Sequence, residues 1–272
     1  MPPQSSAPGP AAKPDLRFPW EPESVNRANL VTASLRQLLL ERAPRRAPQT
    51  LLIAAGALAG FAAQNAALEQ GELLTARRDL VAPESLMLRQ GPGGERYLLG
   101  RWVNAPLLLG YGHGFPLQRF VIQAAAAAGV ARNRFPDYWD LERKVAKGAA
   151  SGALGRLEPA EGRERLARPQ DVLQAIWLPA RRMLTAPRPL ELADEPPISA
   201  AHWPTALSLV AARLIAVVAD AVGPGLAADL VMEAALIASK LDPDLVDPGR
   251  WSLAPGPRGL QIARDDRRRR VA

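Results

Sequence analysis

The chain has two histidines, and one of them stands where an imidazole could do chemistry. His113 lies in Leu109-Gly110-Tyr111-Gly112-His113-Gly114-Phe115, with glycines on both sides that let a ligand approach the backbone. An imidazole titrates near neutral pH, so His113 could carry a proton, with the Tyr111 hydroxyl as a second polar group. Tyr111 and His113 are the candidate catalytic or small-molecule residues. A structural loop histidine is the competing reading, because no Ser or Asp partner is assigned by spacing. His202, in Ala201-His202-Trp203-Pro204, reads as a helix-entry residue packed by its Trp.

A second pattern points to nucleic acid. Ala125, Gly129 and Phe135 match the helix-turn-helix rhythm of a small residue, a turn glycine four later and an apolar residue six after that. Arg132, Asn133 and Arg134 would then face DNA, with donors suited to phosphates or guanine edges. Pro136 opposes this, since it falls where the recognition helix must continue. An Ala-rich helix closed by Gly129 accounts for the same residues without DNA. The run Arg267, Arg268, Arg269 and Arg270 near the end of the chain is the other candidate phosphate contact.

The formal charge of +7 adds little to that argument. Of 34 basic residues 30 are Arg, a skew that codon usage in a GC-rich bacterial genome produces whatever the function. Residues 264–270 alone hold five Arg and two Asp, so much of the excess is local.

Several chemistries are excluded outright. With no cysteine there is no disulfide, thiolate nucleophile or Cys-based metal site, and two histidines cannot build a His-rich cluster. No phosphate-binding G-x-x-x-x-G-K-[ST], no G-x-S-x-G and no H-E-x-x-H occurs. Asp242-Pro243-Asp244-Leu245-Val246-Asp247 suggests a calcium loop, but counted from Asp242 position 5 is Val246, position 6 is Asp247 and position 12 is Leu253. The aspartates read instead as turn and helix caps. Neither a metal nor a cofactor is expected.

The elements that must position these residues are helical. Apolar periodicity predicts helices at about 25–42, 50–70, 116–129, 137–148, 170–186, 205–222 and 226–241. In the second, small residues at Ala55, Ala59, Ala63 and Ala67, with Gly56 and Gly60 beside them, predict close approach of another backbone. Its run LLIAAGALAGFAA is 13 residues long, against about 20 to span a bilayer, and reads as a buried core helix. Gly223-Pro224-Gly225 makes the last two helices antiparallel neighbours. Arg213 and Asp220 mark the polar side of one, and Asp229 and Glu233 read as a solvated acidic pair on the other. Leu86-Met87-Leu88-Arg89 and Arg96-Tyr97-Leu98-Leu99 around Gly91-Pro92-Gly93-Gly94 predict one hairpin.

The expected fold is thus mainly α: a bundle of about seven helices with one short β-hairpin and flexible tails. The expected organisation is a Pro-rich arm at 1–22, a body at 23–248 with a sub-boundary within 148–169, and a Pro/Arg-rich tail at 249–272. No secretory signal is recognised, and a cytoplasmic location without membrane association is expected. The expected function is non-enzymatic association with a protein partner or with itself. The alternatives are a nucleic-acid binder using Arg132, Arg134 and the Arg-rich tail, and an enzyme or small-molecule binder near His113.

Overall fold

The computed structural model describes residues 22–42, 47–77, 81–109, 116–152, 154, 166–185, 199–256 and 259–264. Helix α1 (Pro22–Arg42) is followed by α2 (Pro48–Ala76), the central element of the protein. Between Pro48 and Leu68 the α2 sequence carries no charge, and a helix apolar on every side must be covered on every side. Every residue from Thr50 to Ala67 is buried. The covering comes from α6 (Pro169–Thr185), α7 (Trp203–Val222) and α8 (Pro224–Ala238).

Glycine sets the closest of these contacts. A Cβ built on Gly56 would collide with the carbonyl oxygen of Val231, and one on Gly60 with that of Ala235. Both steps advance by four residues, so α2 and α8 run parallel here, backbone against backbone. The polar residues that end the apolar run extend the same register. Gln64 Nε2 donates to the carbonyls of Ser239 (3.1 Å) and Leu241 (2.6 Å), which lie past the end of α8. Carbonyls at a helix end have no partner within the helix, so a buried amide here stands in for water.

The expected hairpin forms, with β1 (Met87–Gln90) antiparallel to β2 (Arg96–Leu99) and Gly94 at φ +87° in the turn. Gly100 then directs the chain into α3 (Arg101–Asn104), which widens into a single π-helical turn over Ala105–Leu109. Pro106 supplies the cause, since it cannot donate back to residue 102 and its ring crowds that carbonyl. Next come α4 (Leu117–Ala127), a 3-10 turn at Arg132–Arg134, and α5 (Tyr138–Ala150). The short α9 (Pro243–Val246) leads to β3 (Trp251–Gly256) and β4 (Gly259–Arg264).

This second hairpin corrects the sequence expectation. Among the described residues there are nine helices and two hairpins, against about seven helices and one hairpin expected. Within the tail expected over 249–272, Trp251–Gly256 and Gly259–Arg264 are β-strands. Trp251, Leu260 and Ile262 are buried against Ala67, Leu68, Val81 and Trp102, forming a smaller core shared by both hairpins. Pro255 and Pro257 signal a break in the sequence, yet Pro255 is accommodated within β3 of a two-stranded sheet, whose edges need no second partner. At the other end, Pro22 already opens α1, while the rest of the expected arm lies outside the described residues. So do 153 and 155–165 within the expected sub-boundary.

Candidate functional site

Of the candidate site residues singled out by sequence, Arg132, Asn133 and Arg134 lie among the described residues. Tyr111 and His113 lie outside the described residues, as do Arg267, Arg268, Arg269 and Arg270. What is fixed is the ground on either side of Tyr111 and His113: the π-helical turn ends at Leu109, and Pro116 precedes α4. Both flanking elements pack on α8.

Arg132, Asn133 and Arg134 are exposed on their 3-10 turn. Gly129 ends α4 at φ +100°, and the next α-helix starts only at Tyr138, after Pro136, with Asp137 capping it through the Trp139 N–H (2.9 Å). The three side chains therefore sit between helices and not along a recognition helix. Such a turn can offer donors to phosphates but presents no helix to a groove.

The acidic loop after α8 is filled by arginines. Arg96 contacts Asp242 (2.8 Å) and Asp244 (2.6 Å), and these bonds to carboxylates raise its pKa further. Asp242 also caps α9 by accepting from the Asp244 N–H at 3.1 Å. Asp247 accepts from the Trp177 indole (3.0 Å) and Arg181 (2.6 Å). Among the described residues no cluster has the donors to hold a metal ion.

The strongest polar constellation was not read from the sequence. Lys240 is fully buried at the end of α8. Its Nζ contacts Glu142 Oε1 of α5 at 3.2 Å and donates to Asn104 Oδ1 of α3 at 3.1 Å. Asn104 Nδ2 in turn donates to Glu142 Oε1 at 3.0 Å, closing a three-membered ring. Burial lowers the Lys240 pKa, and the neighbouring Glu142 carboxylate works against that shift. The Lys240 backbone is clamped as well. Its carbonyl accepts from the Leu98 N–H of β2 at 3.0 Å, and Gln64 holds the carbonyls on either side of it. The one available signal was its setting, a single Lys at the end of the most apolar helix in a chain otherwise rich in Arg.

One turn away, Tyr138 bonds Asp229 at 3.3 Å, and burial followed by the Asp229 charge raises the tyrosine pKa. Glu233 is 3% exposed. The expectation of a solvated Asp229/Glu233 face is therefore corrected: Glu233 is buried, and Asp229 is half-buried beneath Tyr138 of α5, which packs on α8. This set can bind charges to one another across three helices.

The far end of α2 is held by aromatic and guanidinium groups. Phe61 meets Trp177 edge-on at 4.6 Å, and Trp177 lies 5.9 Å from Trp203. The Arg250 guanidinium stands 5.2 Å from the Trp203 ring and 5.4 Å from Trp251, and burial lowers its pKa to about 10. Arg264 of β4 stands 5.2 Å from the Trp251 ring and bonds Glu69 (3.2 Å) and Glu72 (2.8 Å). Its cations and carboxylates are matched, so the cluster is a clasp for β3 and β4.

A different kind of surface lies on α7. The segment 200–222 is apolar along its length, yet 56% of its apolar window is buried, against 100% for α2. Arg213, Ala216, Val217, Asp220 and Ala221 are exposed, with Val217 at 56% the most open large apolar side chain among the described residues. Both helices are long and apolar enough to cross a membrane, a test that buried core helices also pass.

No family model, curated protein or solved structure matches this chain.

Proposed function

We propose that the chain is a helical association module that binds a second copy of itself, not an enzyme. The observation that supports this is the face of α7: a helix whose composition suits a core, with a contiguous Ala/Val strip uncovered in its second half. The strip carries one cation, Arg213, and one anion, Asp220, and so is neutral. A strongly basic or acidic partner finds no field to read there, whereas another copy matches it in size and polarity. The close fit of α2 on α8 gives the strip a stiff support. Sedimentation velocity over a range of concentrations tests the reading. A weight-average mass that rises from monomer toward dimer in the micromolar range is expected; a constant monomer mass at all concentrations contradicts it.

A small-molecule site beside Tyr111 and His113 is the second reading. It is favoured by the elements that flank their segment in sequence, a π-helical turn and α4, both of which pack on α8, the helix that carries the half-buried Asp229 and the buried Glu233. Nucleic-acid binding through Arg132, Arg134 and the Arg-rich tail is not the favoured partner class.

A further inference from the structure

Resting on the self-association reading, we infer that two copies meet through α7 in an antiparallel, two-fold arrangement whose axis passes between Ala216 and Val217. At 3.6 residues per turn, Arg213, Ala216, Val217 and Asp220 fall within an arc of roughly 100°. All four are exposed. Arg213 and Asp220 are seven residues apart, about 10 Å along the axis, so they do not pair with each other within one helix.

Reversing a copy about the proposed axis turns that separation into complementarity. Arg213 comes opposite Asp220 of the second copy, and Asp220 opposite its Arg213. Between these pairs Ala216 faces Val217. A two-fold contact must use one patch against itself, and this patch satisfies the condition in charge and in size. The side chains at the centre are small, so the helix axes can approach to the short end of the roughly 8–10 Å found between packed helices. Arg213 also has an interaction within its own chain. Its five N–H donors leave capacity for a carboxylate across the axis.

The same geometry sets the strength. One helix face buries less than the roughly 800 Å² per partner of a standard stable interface, which makes this a weak dimer. The charges then contribute mainly to register and orientation, because an α7 pair in the parallel direction would bring Arg213 against Arg213 and Asp220 against Asp220.

Charge reversal tests the inference. Arg213→Asp and Asp220→Arg are made separately, checked for native helicity by circular dichroism, and run by sedimentation velocity alone and as an equimolar mixture beside wild type. Each variant alone places like charges across the axis and should weaken dimerisation at least roughly tenfold. The mixture should recover it, since one chain of each variant together form two opposite-charge pairs across the axis. Variants that dimerise like wild type, or a mixture that stays monomeric, overturn the interface while a dimeric wild type leaves self-association standing. A wild type that is monomeric throughout defeats the self-association reading itself. Monomeric wild type co-sedimenting with neutral phosphatidylcholine vesicles would overturn both in favour of a lipid surface.

Discussion

Gly60 of α2 lies against Ala235 of α8 with no room for a side chain between them: an added Cβ would sit inside the Ala235 carbonyl. The two helices touch through backbone at this point, and the parallel register through Gly56 and Gln64 depends on it. Gly60→Ala must push α8 away from the centre of the core. A loss of about 1–3 kcal/mol or more is expected from overpacking. Gly225→Ala, with open space around it in the first turn of α8, should change stability by no more than roughly 1 kcal/mol and in the stabilising direction. Urea denaturation of the two variants checks the contrast; equal stabilities would remove the backbone contact from the account.

Ala59→Leu probes the next residue on the same helix. Ala59 is 1% exposed, so the added carbons have nowhere to go, and a loss of roughly 1–3 kcal/mol is expected. A melting midpoint unchanged from wild type would contradict the burial of that face.

The Lys240 ring predicts both a size and a pH dependence. Lys240→Met leaves Glu142 and the Asn104 oxygen without their buried donor, and about 3–5 kcal/mol of stability should be lost. Adding Glu142→Gln should recover part of it. Because burial lowers the Lys240 pKa below 10.5, the unfolded chain binds more protons between the folded value and 10.5, and stability rises with pH in that window. The wild-type advantage over Lys240→Met should therefore grow as the pH approaches 10.5. Tyr138, whose raised pKa acts in the opposite sense above 10, is common to both proteins and cancels in the difference. A pH-independent difference in denaturation free energy would contradict the assignment.

Ending the chain after Gly256 removes β4 with Leu260, Ile262 and Arg264, and uncovers Trp251. Burial of two aliphatic side chains at about 1.5–3 kcal/mol each makes this truncation strongly destabilising. Trp251 fluorescence should shift to the red in the truncated chain. A truncation that melts with wild type would restore the reading of 249–272 as a tail without structural weight.

The same hairpin shows where the sequence is legible and where it is not. Long amphipathic segments with punctuation at both ends are plain: Gly223-Pro224 separates α7 from α8, and Pro48 opens α2. Of the 3.6-residue stripe Leu207, Val210, Leu214, Val217 and Val218, four members are buried as their spacing requires, while Val217, at the edge of the stripe, is exposed. In β4 the alternation of Leu260 and Ile262 is present but only a few residues long, and the prolines beside it carry the louder signal. Lys240 was illegible for another reason. Its partners, Asn104 and Glu142, stand far away in sequence, and only the fold makes a lone lysine after an apolar helix part of a ring. The acidic pair Asp229 and Glu233 was misassigned on the same ground, since spacing places two carboxylates on one face but does not say what covers that face.

The arginines that the nucleic-acid alternative would use carry a separate prediction. Replacing Arg267, Arg268, Arg269 and Arg270 together by Gln should leave the fold intact, and wild type itself should show no measurable DNA binding at physiological salt. If wild type binds, each neutralised phosphate releases a counterion, and the variant would flatten the salt dependence by up to roughly 3–4 units. Fluorescence anisotropy with duplex and single-stranded oligonucleotides decides it, and tight binding lost in the variant would put the nucleic-acid reading first.

The most direct measurement of the α7 account uses the absence of native cysteine. A single Ala216→Cys places one thiol beside the proposed two-fold axis, close to its own copy, while Asp171→Cys on the exposed side of α6 provides a thiol away from it. Mild oxidation at micromolar concentration should link the Ala216→Cys chain into a covalent dimer on non-reducing gels and leave Asp171→Cys largely monomeric. Equal cross-linking at the two positions, or none at Ala216→Cys under conditions where wild type sediments as a dimer, would contradict an interface centred on α7.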